Sequence, residues 1–224
     1  LAHDAMSDLD DGMENYDLLK SRHHYFLNKT ATDLNTTYDR TISTNNRFTF
    51  LDFYPDGSHF VAGLDNNAVG AWESKAGNRV KRMEGHSQQV KLVDVSADQK
   101  HMLSGGFDDV INRWSLEDFS LLDSVKTPGN VMLMNYSDDG SHIDVIYDTV
   151  IAYYYQRYDV EGLVPVGEPI ALRSNISRVS FNAQGTAMWV MYETYLDEPA
   201  LVKLDLSTGQ LVKEYENVVY DEIA

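Results

Sequence analysis

The 224-residue chain contains no cysteine, which rules out disulfides, thiolate metal centres and a cysteine nucleophile. Positive charge is also scarce: 18 Lys and Arg stand against 35 Asp and Glu, a formal charge of −17. A surface of that sign repels phosphate and gains little from releasing counterions, so no nucleic-acid partner is expected. Only Arg79, Lys81 and Arg82 in NRVKRM gather locally, and they read as the solvated face of an outer strand. No apolar run approaches the roughly 20 residues needed to cross a bilayer, so no membrane span is expected. The opening stretch, LAHDAMSDLDDGMENYD, has neither the basic start nor the apolar centre of a signal peptide, and a cytoplasmic location is the expectation.

What the chain does have is a 43% hydrophobic and 11% aromatic composition, enough for a packed core. It also has a repeat. Four turn-like stretches, FYPDG, VSADQ, YSDDG and FNAQG, end at residues 57, 99, 140 and 185, spaced by 42, 41 and 45. Each lies between two short apolar runs: FTFLDF and HFVAGL, VKLVDV and KHMLSG, VMLMNY and HIDVIY, ISRVSF and AMWVMY. Apolar runs on both sides of a Pro/Asp/Gly/Asn turn predict a β-hairpin. A third run follows in each unit, NAVGAW, DVINRW, TVIAYYY and ALVKLD, and then a polar turn such as KAG or STG leads to a fourth. Four antiparallel strands every 40–45 residues are what one propeller blade needs. The fold class expected is all-β, a β-propeller with four clear four-stranded blades.

Residues 86–114 read HSQQVKLVDVSADQKHMLSGGFDDVINRW and set one His, one Ser, one Asp and one Trp among short apolar runs. Ser, His and Asp could form a catalytic triad, which is recognised by geometry and not by order. Nothing here, however, resembles a G-x-S-x-G nucleophile turn. The first repeat, moreover, has Ala62, Asn66 and Trp72 where the second has Ser104, Asp108 and Trp114. A structural hydrogen-bond relay is the favoured reading.

Residues 85–114 resemble a WD40 repeat: Gly85-His86 opens it, Ser104-Gly105-Gly106-Phe107-Asp108 closes the inner hairpin, and Trp114 ends the third strand. The resemblance implies that His86, Ser104, Asp108 and Trp114 are the family's structural tetrad. A buried imidazole must satisfy both nitrogens, a carboxylate in a tight turn can accept from one, and the hydroxyl can link to the indole N–H. The resemblance covers 47–217 well and 12–46 poorly, which implies blades at about 47–86, 87–128, 129–173 and 174–217. It also suggests a partial or degenerate blade within 1–46 (residues 16–39) and a tail or further strand at 218–224. Other units depart from the pattern: Trp72 is followed by Glu73 and Trp114 by Ser115, with Tyr158-Asp159 and Leu204-Asp205 later. That makes the repeats degenerate WD40 or more broadly quinoprotein-like. Propellers of this family most often close with seven blades, so these are expected to be part of a larger ring.

Other constellations carry less. His3, Asp4, His23 and His24 invite a metal site, but adjacent strand residues point to opposite faces, and none is assigned. The acidic run SDLDDGMEN (7–15) lacks the pattern of a calcium-binding EF-hand loop. Asn28, Asn35, Asn135 and Asn175 sit in Asn-x-Ser/Thr sequons that Asn-rich turns produce by chance. Tyr153 and Tyr155 should share one strand face and Tyr154 the other. Met132 and Met134 should share one face as core filler.

The resemblance implies a non-enzymatic interaction scaffold within a larger assembly, with no cofactor and no catalytic residues. Partners of such domains dock on the face carrying the turns between second and third strands. Matching the repeats puts Gln89, Lys91 and Phe107 on that face, with Asp65 and Asp148 at positions equivalent to Phe107. The two aspartates would favour a basic peptide or a Lys/Arg-bearing protein partner. One alternative is a lactonase-like or quinoprotein-like propeller enzyme with a metal or cofactor in its channel, for which Asp52, Asp94 and Asn135 are the recurring polar positions. Another is an exported or periplasmic propeller serving an envelope assembly.

Overall fold

The computed structural model describes residues 46–182, 185–192, 200–208 and 210–215. The readings placed on residues 1–45 and 218–224 lie outside them. The described strands form four four-stranded antiparallel sheets, each ordered as in the sequence. The first contains β1 (Phe48–Phe53), β2 (His59–Leu64), β3 (Ala68–Glu73) and β4 (Arg79–Glu84). The second contains β5 (Val90–Val95), β6 (His101–Gly106), β7 (Val110–Ser115) and β8 (Leu121–Lys126). The third contains β9 (Asn130–Tyr136), β10 (His142–Asp148), β11 (Tyr153–Asp159) and β12 (Val164–Leu172). The fourth contains β13 (Ile176–Phe181), β14 (Ala187–Tyr192), β15 (Ala200–Asp205) and β16 (Leu211–Tyr215). The all-β, four-sheet expectation holds.

The turn after each first strand explains the spacing. Gly57, Gln99, Gly140 and Gly185 all have positive φ, 70°, 61°, 71° and 60°. A left-handed residue is what brings the chain back into the second strand, and glycine adopts it without steric cost. Side-chain caps add to this: Asp139 Oδ1 accepts from Ser137 Oγ at 2.7 Å and from the Ser141 N–H at 2.9 Å. Asp98 Oδ1 does the same with Ser96 Oγ and the Lys100 N–H, at 2.7 and 3.0 Å.

Of the described residues, those from 46 to 172 belong to one compact unit and those from Arg173 onward, with the fourth sheet, to another. Within the first unit, adjacent sheets pack face to face. Val61, Val69, Ala71 and Met83 of the first sheet meet Val90, Val93, Val95, Met102 and Trp114 of the second. Leu103 and Ile111 of the second meet Val131, Met134, Ile143, Val145 and Tyr158 of the third. The sheets are also pinned by a repeated polar bond: Asp52 Oδ2 accepts from the Val95 N–H at 2.8 Å, and Asp94 Oδ2 from the Tyr136 N–H at 2.6 Å. Each aspartate sits one residue before the end of its sheet's first strand and reaches the last first-strand residue of the next. The fourth sheet buries Met188, Val190, Val202 and Leu204, and Arg173 forms a two-point ion pair with Glu214.

Two local expectations change. The third strand of the third sheet is Tyr153–Asp159, not 149–155, because Thr149 closes a turn with Ala152 before the strand begins. Tyr154 does stack on Tyr147 and Tyr155 is buried, as alternation within the strand requires. Met132 also leaves the core. A β-bulge interrupts the β9–β10 ladder between Leu133 and Val131, so Met134 is 3% exposed and Met132 38%.

Candidate functional site

The second sheet holds the constellation of residues 86–114. His86 precedes β5, Ser104 lies on β6, Asp108 in the turn to β7, and Trp114 near the end of β7. His86 Nδ1 lies 3.0 and 3.1 Å from the two carboxylate oxygens of Asp108, and its Nε2 lies 2.7 Å from Ser104 Oγ. The Trp114 indole N–H donates to Ser104 Oγ at 2.8 Å. Because the carboxylate only accepts, Nδ1 carries the imidazole proton. Nε2 then accepts from Ser104, whose hydroxyl in turn accepts from Trp114. The Ser87 N–H adds a 2.9 Å bond to Asp108 Oδ2.

This set is sealed. The side chains of His86 and Asp108 are 1% and 2% exposed, and Ser104 is 0% exposed. A nucleophilic hydroxyl needs an approach path for its substrate, whereas this one has no solvent-accessible surface. Asn112, which sequence reasoning passed over, adjoins it: Asn112 Nδ2 lies 3.2 Å from His86 Nε2. Its signal was register, since Asn112 pairs directly opposite Ser104.

The same positions are occupied differently in the sister sheets. Register aligns Ala62, Ser104, Val145 and Val190, and likewise Trp72, Trp114, Tyr158 and Leu204. In the first sheet, Trp72 stacks on Phe60 (centroids 5.3 Å apart, planes 7° apart) and meets Phe48 edge-on at 5.0 Å. Aromatic packing replaces the relay. In the third sheet the buried polar group is elsewhere: Asp144 accepts from Tyr155 OH at 2.6 Å and from Arg157 Nε at 2.8 Å. Burial, followed by the Asp144 carboxylate, pushes the Tyr155 phenol well above its ordinary range.

The hairpin ends between second and third strands carry the expected partner-face residues. The Phe107 N–H donates to the Gln89 carbonyl at 3.1 Å, and Lys91 Nζ lies 4.6 Å from the Phe107 ring centroid. These three residues therefore form one cluster, with Phe107 36% exposed. Lys91 is the bulged residue of β5, which aims it away from the ladder. Asp65 and Asp148 hold the equivalent places on the first and third sheets. Asp65 Oδ1 accepts from the Arg47 N–H at 3.2 Å. Among the described residues, no hydrogen bond or ion pair joins either aspartate to Phe107, Gln89 or Lys91. The recurring Asp52 and Asp94 are engaged by backbone amides of the following sheet, and no three His, Asp or Glu side chains among the described residues converge at metal-ligand spacing.

No protein-family model matches the chain. Among curated proteins it is similar to eukaryotic translation initiation factor 3 subunit I of Scheffersomyces stipitis, 26% identical over 179 residues, which is 75% of this chain and 51% of that protein. It is also similar to WD repeat-containing protein 18 of Danio rerio, 34% identical over 74 residues, 33% of this chain and 17% of that protein. Among solved structures, a chain of Kuenenia stuttgartiensis hydrazine synthase superposes with a TM-score of 0.67 at 13% identity, covering 81% of this chain and 52% of that one. The Cps50 (Swd1) β-propeller domain of Myceliophteria thermophila gives 0.61 at 15% identity, covering 77% of this chain and 59% of that one. At such identities the structural likeness shows the fold alone. The chain folds into sheets of the β-propeller blade type and is similar in sequence to WD40-repeat proteins. More particularly, it is distantly similar to subunit I of translation initiation factor 3, and it spans 51% of the length of that curated relative.

Proposed function

We propose that the chain is a non-enzymatic interaction scaffold, a cytoplasmic subunit or domain of a multi-subunit assembly that engages a protein partner through the Phe107 face. Similarity to a named subunit of a translation initiation factor over 75% of the chain supports the assembly. The observation that carries the face is Phe107: a large apolar ring 36% exposed at a turn, held by the Gln89 carbonyl and capped by the Lys91 ammonium. Aromatic residues displayed on rigid backbone are favoured interface anchors, because little side-chain entropy is lost on binding. Asp65 and Asp148 on the flanking hairpins favour a Lys- or Arg-bearing partner. His86, Ser104, Asp108 and Trp114 serve as the tetrad that locks the second blade.

The test is native mass spectrometry of the tagged chain expressed in its source cells. The wild type should run in an assembly heavier than itself. Phe107→Ala should deplete that assembly while the melting temperature stays the same. Loss of folding in Phe107→Ala would make the ring a core residue, and an undiminished assembly would remove it from the interface.

A further inference from the structure

The most exposed apolar residues described are Val150 and Ile151, 104% and 87% exposed; no other large apolar residue among those described exceeds 57%. They form the tip of the β10–β11 hairpin, at the same end of the strands as Phe107 and Asp65. The equivalent turn of the first sheet is polar, Asp65-Asn66-Asn67, and that of the second carries Phe107 beside Asp108 and Asp109; their left-handed residues are Asn67 (φ 68°) and Asp109 (φ 58°). Val150 and Ile151 lie outside the left-handed region, so the backbone of this turn selects neither polar nor apolar residues for them. Two adjacent large apolar side chains left wholly in solvent contribute nothing to the core and are a mark of a contact surface.

The tip is also rigid. The Thr149 N–H and Oγ1 both donate to the Ala152 carbonyl, at 2.8 and 2.9 Å, and the Ala152 N–H returns a bond to Thr149 Oγ1 at 3.1 Å. At the base of the hairpin Tyr147 and Tyr154, paired across the strands, stack with centroids 5.6 Å apart. Holding apolar side chains in place beforehand lowers the entropy lost on binding. Beneath the tip, Asp148 Oδ1 is shielded from solvent and has no hydrogen-bond partner among the described residues. The residue as a whole is only half-buried, which leaves Asp148 within reach of a cation seated beside the tip.

We propose that Val150 and Ile151 form an apolar knuckle that inserts into a protein partner presenting an apolar cleft bordered by Lys or Arg, one of which pairs electrostatically with the Asp148 carboxylate. This rests on the scaffold reading and deepens it by naming a second anchor and the chemistry that recognises it. A basic rather than acidic border follows from the carboxylate and from the formal charge of −17.

The probe is a synthetic amphipathic helix of leucine and lysine, titrated into the full chain with its Val and Ile methyl groups isotopically labelled. The Val150 and Ile151 methyl signals should shift, and Val150→Ser with Ile151→Ser should weaken binding about tenfold. Asp148→Asn should weaken it severalfold, Leu122→Ser on the outer strand β8 should leave it unchanged, and a leucine–glutamate helix should not bind. Failure of the lysine helix to bind, or binding unaffected by the double variant, would overturn the knuckle. So would equal or tighter attachment to phosphatidylcholine vesicles, which would assign the tip to a lipid surface. If Phe107→Ala weakens binding and the double variant does not, the knuckle falls and the scaffold face stands; if neither does, both fall.

Discussion

Trp72 and Trp114 occupy the same register position in adjacent sheets and use their indoles in opposite ways. Trp114 donates its N–H to Ser104 Oγ at 2.8 Å, whereas Trp72 lies flat against Phe60 with centroids 5.3 Å apart. One repeat position thus supports two kinds of core, polar and aromatic, according to what lies beside it. The second-strand residue decides which: Ser104 offers an acceptor to the indole N–H in one sheet, and Ala62 at the same register offers none in the other.

In the polar core, removing one member leaves the others buried without partners. His86→Ala should cost about 2–4 kcal/mol, because Asp108 and Ser104 both lose a bond in a dry site. Trp114→Phe keeps the packing and removes one donor, at about 1 kcal/mol. Urea denaturation of the full chain gives both values, and equal costs for the two would mean that packing alone holds the site.

In the aromatic core, space is what matters. A Cβ on Gly70 would lie 2.2 Å from Trp72 Cη2, and the ring is fixed between Phe60 and Phe48. Gly70→Ala should therefore cost about 1–3 kcal/mol through overpacking. At Gly140 nothing lies within 4 Å of a Cβ, but φ is +71°. Gly140→Ala should cost about 1 kcal/mol from backbone conformation alone. Thermal melts of the two variants, with near-ultraviolet circular dichroism reporting on Trp72, separate the mechanisms: only Gly70→Ala should alter the aromatic signal.

The Asp52 and Asp94 bonds make local predictions. Asp52→Ala should speed hydrogen exchange at the Val95 amide by about tenfold or more, through loss of one charge-assisted bond, and leave the Tyr136 amide alone. Asp94→Ala should do the reverse. Uniform acceleration in either variant would show that the sheets do not open separately.

The pH limits follow from turn carboxylates and buried phenols. The Ser141 amide, then the Ser137 and Ser141 hydroxyls, hold Asp139 well below the usual carboxylate range, and the Ser58 hydroxyl does the same to Asp56 more mildly. A depressed folded value means stability that is present above the unfolded value near 4 and lost as pH falls further. Burial pushes Tyr54 and Tyr158 up to about 12. A raised folded value means stability that is full below the unfolded value near 10 and fades as pH rises toward 12. Melting temperature should thus be insensitive to these groups between about pH 5 and 9 and drop outside that range, with tyrosinate absorbance rising alongside the alkaline loss.

The sequence by itself determined the repeat. Strand alternation and a turn every 41 to 45 residues are local properties, because side-chain period and backbone preference act within a few residues. That is why FTFLDF at 48–53 and ALVKLD at 200–205 coincide with β1 and β15. The set His86, Ser104, Asp108 and Trp114 was legible by its resemblance to a WD40 repeat rather than by periodicity. Tertiary structure alone decided what register and packing control. The bulge that turns Met132 outward, Asn112 beside the imidazole, and the reach of Asp52 to Val95 all depend on how one strand slides against another or one sheet lies on the next. The Val150–Ile151 tip belongs to this group too. Its residues read as a strand from composition, and only the Thr149–Ala152 closure, formed once β10 and β11 are paired, makes them a turn.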